Sequence, residues 1–216
     1  MRVHRRSLAI AAVGALGLLA LQGYPQWLQY DRQQLLSGEL WRVWTAHIVH
    51  TNLAHFALNI AAALLIYRFF FRAISLRALW VSALLFSALI SAGLFLFLPA
   101  LDWYNGLSGL LHAMVAYFSI RLAAAGAGVY WLWLCALWLK VAIEWLGHSP
   151  VYASLGGDMN VITEAHLAGA VTGTVAGLVV WFFRQRKPGE MANAAARCSC
   201  EKERKGSGFK GSGPLL

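Results

Sequence analysis

Six predominantly apolar stretches decide what this chain can fold into. They run roughly over 7–23, 53–71, 79–98, 107–125, 129–146 and 164–183. Each is long enough, or nearly so, to cross about 30 Å of hydrocarbon as a helix. Inside lipid every backbone N–H and C=O must find its partner within the segment, and a helix does this alone. Composition agrees: hydrophobic residues make up 59% of the 216 and charged ones 12%, where a soluble domain would carry about 25% charged. The expected fold is therefore all-α, a single six-helix membrane domain over residues 1–187. The segment 188–216 is basic, Gly/Ser-rich and non-periodic, and reads as a disordered tail; its end, KGSGFKGSGPLL, has the look of a linker. The first stretch follows MRVHRR in the manner of a signal peptide, but ALQGYP is a poor cleavage site and five more stretches follow, so a retained helix is expected.

The formal net charge of +9 suggests nucleic acid only until the charges are located. Arg2, Arg5 and Arg6 precede the first stretch. Arg68, Arg72 and Arg77 join the second to the third, Arg121 ends the fourth, and the tail after the sixth carries eight more, so 15 of the 18 Lys and Arg fall on one side of six alternating helices. Arg32 and Arg42 face the other side, and Lys140 lies inside a helix. This is the positive-inside pattern of a multi-pass membrane protein, with both termini cytoplasmic. The expected environment is membrane lipid, with no nucleic-acid partner. The connection from Tyr24 to Asn52 then lies in the periplasm, and loops of that length are usually functional or packed on something. Cys135 sits in an apolar run and reads as packing. Cys198 and Cys200 in the tail lack nearby companion ligands. No disulfide framework, metal or cofactor is expected.

Alternation also aligns the polar residues. The second, fourth and sixth stretches all enter from the periplasmic side, with their polar residues near that end. The second has His55 and Asn59, four apart on one face. The fourth has Ser108, with His112 one turn later; the sixth has His166. Polar groups at such depth face a bundle interior or a watery cavity, and a serine beside a histidine is the minimum set for nucleophilic catalysis. Ala165, Gly169, Gly173 and Gly177 form a small-residue stripe on the sixth stretch that admits close approach of another helix, and the fourth, with Gly106 and Gly109, is the expected partner. The bland readings have weight: a lone membrane serine is usually structural, a lone histidine packs or handles protons, and GxxxG is common. By spacing alone, a transporter or proton relay is favoured over a protease.

Taken together the motifs are more specific. Trp41-Arg42, HIVHTNLAHFALN ending at Asn59, GLSG at 106–109 and AHLAG followed by Gly173 resemble, in order and spacing, the rhomboid family of intramembrane serine proteases. VHTNLAHFALN, GLSGLLHA and the Lys140…Glu144 pair with Trp145 look most like its rhombosortase branch. The resemblance implies a six-helix bundle with a long first periplasmic loop and an active site open toward the periplasm. It implies Ser108 as nucleophile and His166 as general base and then acid, a dyad with no carboxylate orienting the histidine. It implies an oxyanion hole of His55, Asn59 and the Ser108 N–H. His50 resembles a loop histidine that helps water reach the site, and Trp41 and Arg42 would fix the first-loop hairpin. Gly106, Gly109, Gly169 and Gly173 would support the site by permitting close packing. His112 stands where ordinary rhomboids often have a tyrosine; packing on His166 is preferred over a part in substrate or acceptor recognition. Lys140 and Glu144 are expected to be structural or branch-specific, not catalytic. The implied substrate is the transmembrane segment of an exported protein with a C-terminal Gly-Gly, apolar helix and basic tail. A general rhomboid protease acting on other single-span proteins is the first alternative, an inactive rhomboid-like binding protein or a transporter the second.

Overall fold

The computed structural model describes residues 14–70, 74–147 and 162–185. Helix α1 is seen over 14–21, and four short elements follow in the first loop: α2 (Pro25–Leu28), β1 (Tyr30–Asp31), α3 (Arg32–Leu36) and α4 (Arg42–Thr45). The long helices are α5 (Leu53–Phe69), α6 (Leu76–Phe97), α7 (Ser108–Ala123), α8 (Tyr130–Trp145) and α9 (Thr163–Gln185), with β2 (Trp103–Tyr104) between α6 and α7. The chain divides into a unit Met1–Leu178, which holds every candidate site residue, and a unit Val179–Leu216, of which only the end of α9 is described. The tail expected to be disordered, with Cys198 and Cys200, lies outside the described residues.

Helices α5 to α9 lie on five of the six expected apolar stretches, and α1 on the described part of the first. α6 and α9, with 22 and 23 residues, are long and apolar enough to cross a bilayer by length and composition. α5 and α7 are apolar but shorter, with 17 and 16 residues, and α8 has 16, Lys140 and Glu144 among them. Local chemistry sets the starts: the Asn52 side chain accepts the His55 N–H at the head of α5, and Ser75 accepts the Ala78 N–H at the head of α6. Each meets a donor that has no partner within its own helix.

α7 is buried nearly all round and packs against α5, α6 and α8. α9 crosses it at backbone distance: a Cβ on Gly169 would overlap the carbonyl oxygen of Gly109, and one on Gly173 that of Ala113. Glycine is the one residue that fits either position. The outward faces carry large apolar side chains such as Leu64, Trp80, Leu85, Leu132 and Leu139, while Ser82, Ser87 and Ser91 of α6 point inward. This is the inverse of a water-soluble protein, and an apolar surface of that extent calls for an apolar solvent. Cys135, expected to pack, is on the exposed face of α8.

The first loop packs against α6 and against the turn that enters α7. Arg42 is buried; it donates to the carbonyls of Gln26 and Gln29 at 3.1 and 2.8 Å and pairs with Glu39. Trp41 Nε1 donates to the Trp27 carbonyl at 3.2 Å, so this pair ties the loop to itself. β1 pairs antiparallel with β2, Tyr30 opposite Tyr104, which fastens the loop to the chain entering α7.

Candidate active site

Ser108 is the first residue of α7. The turn that delivers it is held from four sides. Gly106 has φ +129, a conformation L side chains rarely adopt, and a Cβ there would meet the His55 ring at 2.9 Å. Its N–H donates to the Ala46 carbonyl at 2.9 Å, and its carbonyl accepts the Tyr104 hydroxyl at 2.6 Å. Asn105 bonds to Thr51 and Gln29. The Leu107 N–H donates to His50 Nε2 at 3.3 Å.

His50 is a brace for this turn. Its Nδ1–H faces the acceptor Gln22 Oε1 at 3.1 Å, which leaves Nε2 to accept from Leu107. Burial, and after it the nearby His55, pushes its imidazole down to about 4, so it stays neutral and keeps that acceptor. His50 does not line the cavity around Ser108. His47 is buried under the same turn, bonds to Ser91 Oγ at 3.2 Å, and is pushed down by burial to about 4. Burial likewise raises the Tyr104 phenol.

His166 Nε2 lies 2.8 Å from Ser108 Oγ. His166 is buried, and its Nδ1 lies 2.9 Å from Glu144 Oε2. A carboxylate only accepts, so Nδ1 carries the proton and Nε2 is the bare nitrogen facing the serine hydroxyl. The dyad expected from sequence therefore has a carboxylate behind it. Glu144, assigned there to a local pair, does bond Lys140, Oε1 to Nζ at 2.6 Å, but its second oxygen serves the histidine.

The ring of His112 stacks on that of His166, centroids 4.3 Å apart and planes within 11°. Its Nδ1–H donates to the Ser108 carbonyl at 2.7 Å, and its Nε2 accepts from Lys140 Nζ at 3.0 Å. This is the packing placement preferred from sequence, with a bond to Lys140 that sequence did not suggest. His112, Glu144 and His166 offer ligand atoms within 4.8 Å of one another. The group is interlaced by these hydrogen bonds, and the cation it holds is the Lys140 ammonium.

His55 and Asn59 are the two buried positions of α5. Asn59 Nδ2 donates to the His55 carbonyl at 3.0 Å. Both line, with Ser108, His112 and His166, a cavity of about 410 Å³. Its deeper wall is apolar, built from Leu65 and Ile66 of α5 and Trp133 and Leu137 of α8. α5 and α8 meet beyond it through aromatic contacts of Phe69 and Phe70 with Trp133 and Tyr130. The site residues from α5, α7 and α9 are thus brought together, with Gly106 in the turn and Gly109, Gly169 and Gly173 at the helix crossing. The residue sequence reasoning missed is Glu144. Leu137, Val141 and Glu144 share the buried stripe of α8, and an acid on such a stripe was the available signal.

Ser108 and the buried His166 are thus paired at the head of α7, inside a bundle whose outer faces are apolar. The chain belongs to the rhomboid family: the rhomboid domain model matches residues 37–183. It is similar to the rhomboid protease GlpG of Salmonella paratyphi A, 25% identical over 178 residues that cover 76% of this chain and 57% of that protein. The chain thus spans little more than half the length of that relative. Family membership and the apolar helices make it an integral membrane protein.

Proposed function

We propose that this protein is an intramembrane serine protease in which Ser108 attacks and His166 moves the proton. The 2.8 Å bond between Ser108 Oγ and His166 Nε2 carries this reading. Ser108 Oγ adds to the scissile carbonyl as Nε2 takes its proton. The N–H of Ser108 heads α7, where backbone donors lack helical partners and the helix dipole favours negative charge. With His55 and Asn59 on the facing wall of the cavity, it forms the proposed oxyanion hole. Such donors bind charge that appears only in the tetrahedral intermediate. Leu58, Ala62 and Leu65 of α5 and Trp133, Ala136 and Leu137 of α8 line the cavity, and the proposed entry for a single-span substrate lies between these two helices.

For the whole molecule the proposal is six crossings, both termini in the cytoplasm of a bacterium, and a site open to the periplasm. The Lys/Arg distribution supports it. For substrate, the GLSGLLHA motif with Lys140 and Glu144 supports the rhombosortase reading: a Gly-Gly, apolar helix and basic cluster at the C-terminus of an exported protein. Glycines lower the cost of unwinding the helix at the cut bond by about 1 kcal/mol each relative to alanine. The test is cleavage of a Gly-Gly-tailed fusion by purified protein, with mass analysis of the products. Ser108→Ala and His166→Ala should each abolish it, and the double variant should be no worse than either. Normal turnover by Ser108→Ala rejects the mechanism. Equal cleavage of the Gly-Gly substrate and its Val-Val variant rejects the rhombosortase reading and leaves a general rhomboid protease.

A further inference from the structure

The Glu144 carboxylate is not where a simple ion pair would put it. Lys140 and Glu144 are one helical turn apart on α8, and a pair serving only each other would share one environment. Instead the lysine side chain is 46% exposed and the glutamate 6%. The acid is drawn inward, to His166 Nδ1 at 2.9 Å. Its other oxygen keeps the lysine, whose ammonium also donates to His112 Nε2. His112 closes the loop by its bond to the Ser108 carbonyl and its stacking on His166. Ser108, His166, Glu144, Lys140 and His112 form one closed hydrogen-bonded ring.

We infer that Glu144 is a third member of the catalytic machinery, a positioning residue that makes this site a Ser-His-Glu triad, with Lys140 and His112 holding it in register. The inference rests on the protease reading. In the first step the Oγ–C bond forms, the carbonyl π pair moves onto oxygen, and the Oγ proton goes to His166 Nε2. The imidazole then carries a proton on each nitrogen and a positive charge beside the Glu144 carboxylate, which keeps accepting from Nδ1–H without taking the proton. In the second, Nε2–H passes to the departing amide nitrogen as the C–N bond breaks. Glu144 acts twice: it fixes the tautomer that leaves Nε2 bare, and it faces the charge that forms. With the other tautomer the serine would meet an N–H and have no base.

The competing explanation is that Glu144 merely neutralises Lys140 within an apolar helix. Full-length protein in liposomes separates the two. The measurements are kcat and KM on the Gly-Gly fusion, the rate of Ser108 labelling by a fluorophosphonate, and thermal stability. Glu144→Gln should lower kcat and the labelling rate about 10²–10⁴-fold with KM little changed. Glu144→Asp, which keeps the carboxylate, should recover part of the loss. The double variant Lys140→Met/Glu144→Gln should remain as slow as Glu144→Gln, because removing the lysine does not restore the histidine's partner. Recovery of the double variant to the level of Lys140→Met would make Glu144 a counter-ion and overturn the triad. So would wild-type labelling by Glu144→Gln. A wild-type protein whose Ser108 does not label at all sinks the protease reading and the triad with it; a labelled wild type with an indifferent Glu144 sinks the triad alone.

Discussion

His50 and Glu144 are single residues whose roles depend on the atom each nitrogen or oxygen faces. His50, whose resemblance is to a loop histidine that helps water reach the site, is in the fold an acceptor for the Leu107 N–H, one residue before Ser108. Its imidazole titrates near 4 in the fold, against about 6.5 when unfolded. Between those values the unfolded chain binds a proton that the folded chain refuses, so stability falls as pH drops from 6.5 toward 4 and is insensitive to this group above 6.5. The full loss is about 3 kcal/mol for one such histidine, and His47, also near 4, acts in the same sense. The melting temperature should therefore decline from pH 7 to pH 4.5, and more shallowly in His50→Asn. An equal slope in that variant would remove His50 from the account. Glu144 was hidden from sequence by Lys140: an acid with a base four residues before it already has a sufficient local explanation. Nothing in the chain order tells which oxygen looks across to another helix.

At the scale of elements, the crossing of α7 and α9 was legible because small residues every fourth position report a close approach by themselves. The first loop was not: it is held by the backbone pairing of Tyr30 with Tyr104 and by side chains such as Arg42 and Trp41 reaching distant backbone carbonyls, and hydropathy carries no trace of either. The crossing makes a sharp expectation. At Gly169 a Cβ would overlap the Gly109 carbonyl, whereas at Gly93 of α6 it would meet nothing within 4 Å. Gly169→Val must push α9 away from α7, at about 1–3 kcal/mol for the overpacking, and carry His166 off Ser108. It should melt lower and label slowly with a fluorophosphonate, while Gly93→Ala should match wild type in both. A Gly169→Val protein with wild-type labelling would mean that the crossing does not set the dyad.

For the molecule as a whole, the apolar segments were enough to locate α5 to α9 along the chain, because lipid imposes the same demand on every segment. The direction of crossing is a separate matter and is open to labelling. Cysteines introduced at residues 74–78 should react with impermeant reagents from the cytoplasmic side, and those in the 24–52 connection from the periplasmic side. Reaction of both from one side would break the alternation that brings Ser108, His55 and His166 to one depth.

The unequal helix lengths have a consequence for the surrounding lipid. α5 and α8, with 17 and 16 residues, reach about 24–26 Å at 1.5 Å per residue, while α6, with 22, reaches about 33 Å. In the crossing arrangement proposed, one side of the protein matches a bilayer of ordinary thickness, and the side bearing the cavity falls short of it. Acyl chains adjust to such mismatch by thinning next to the short helices. Under the protease reading proposed above, a single-span substrate suited to the full thickness would have more apolar helix in this dimple than the local bilayer can cover. An end lifted among the headgroups would meet water that competes for its backbone hydrogen bonds.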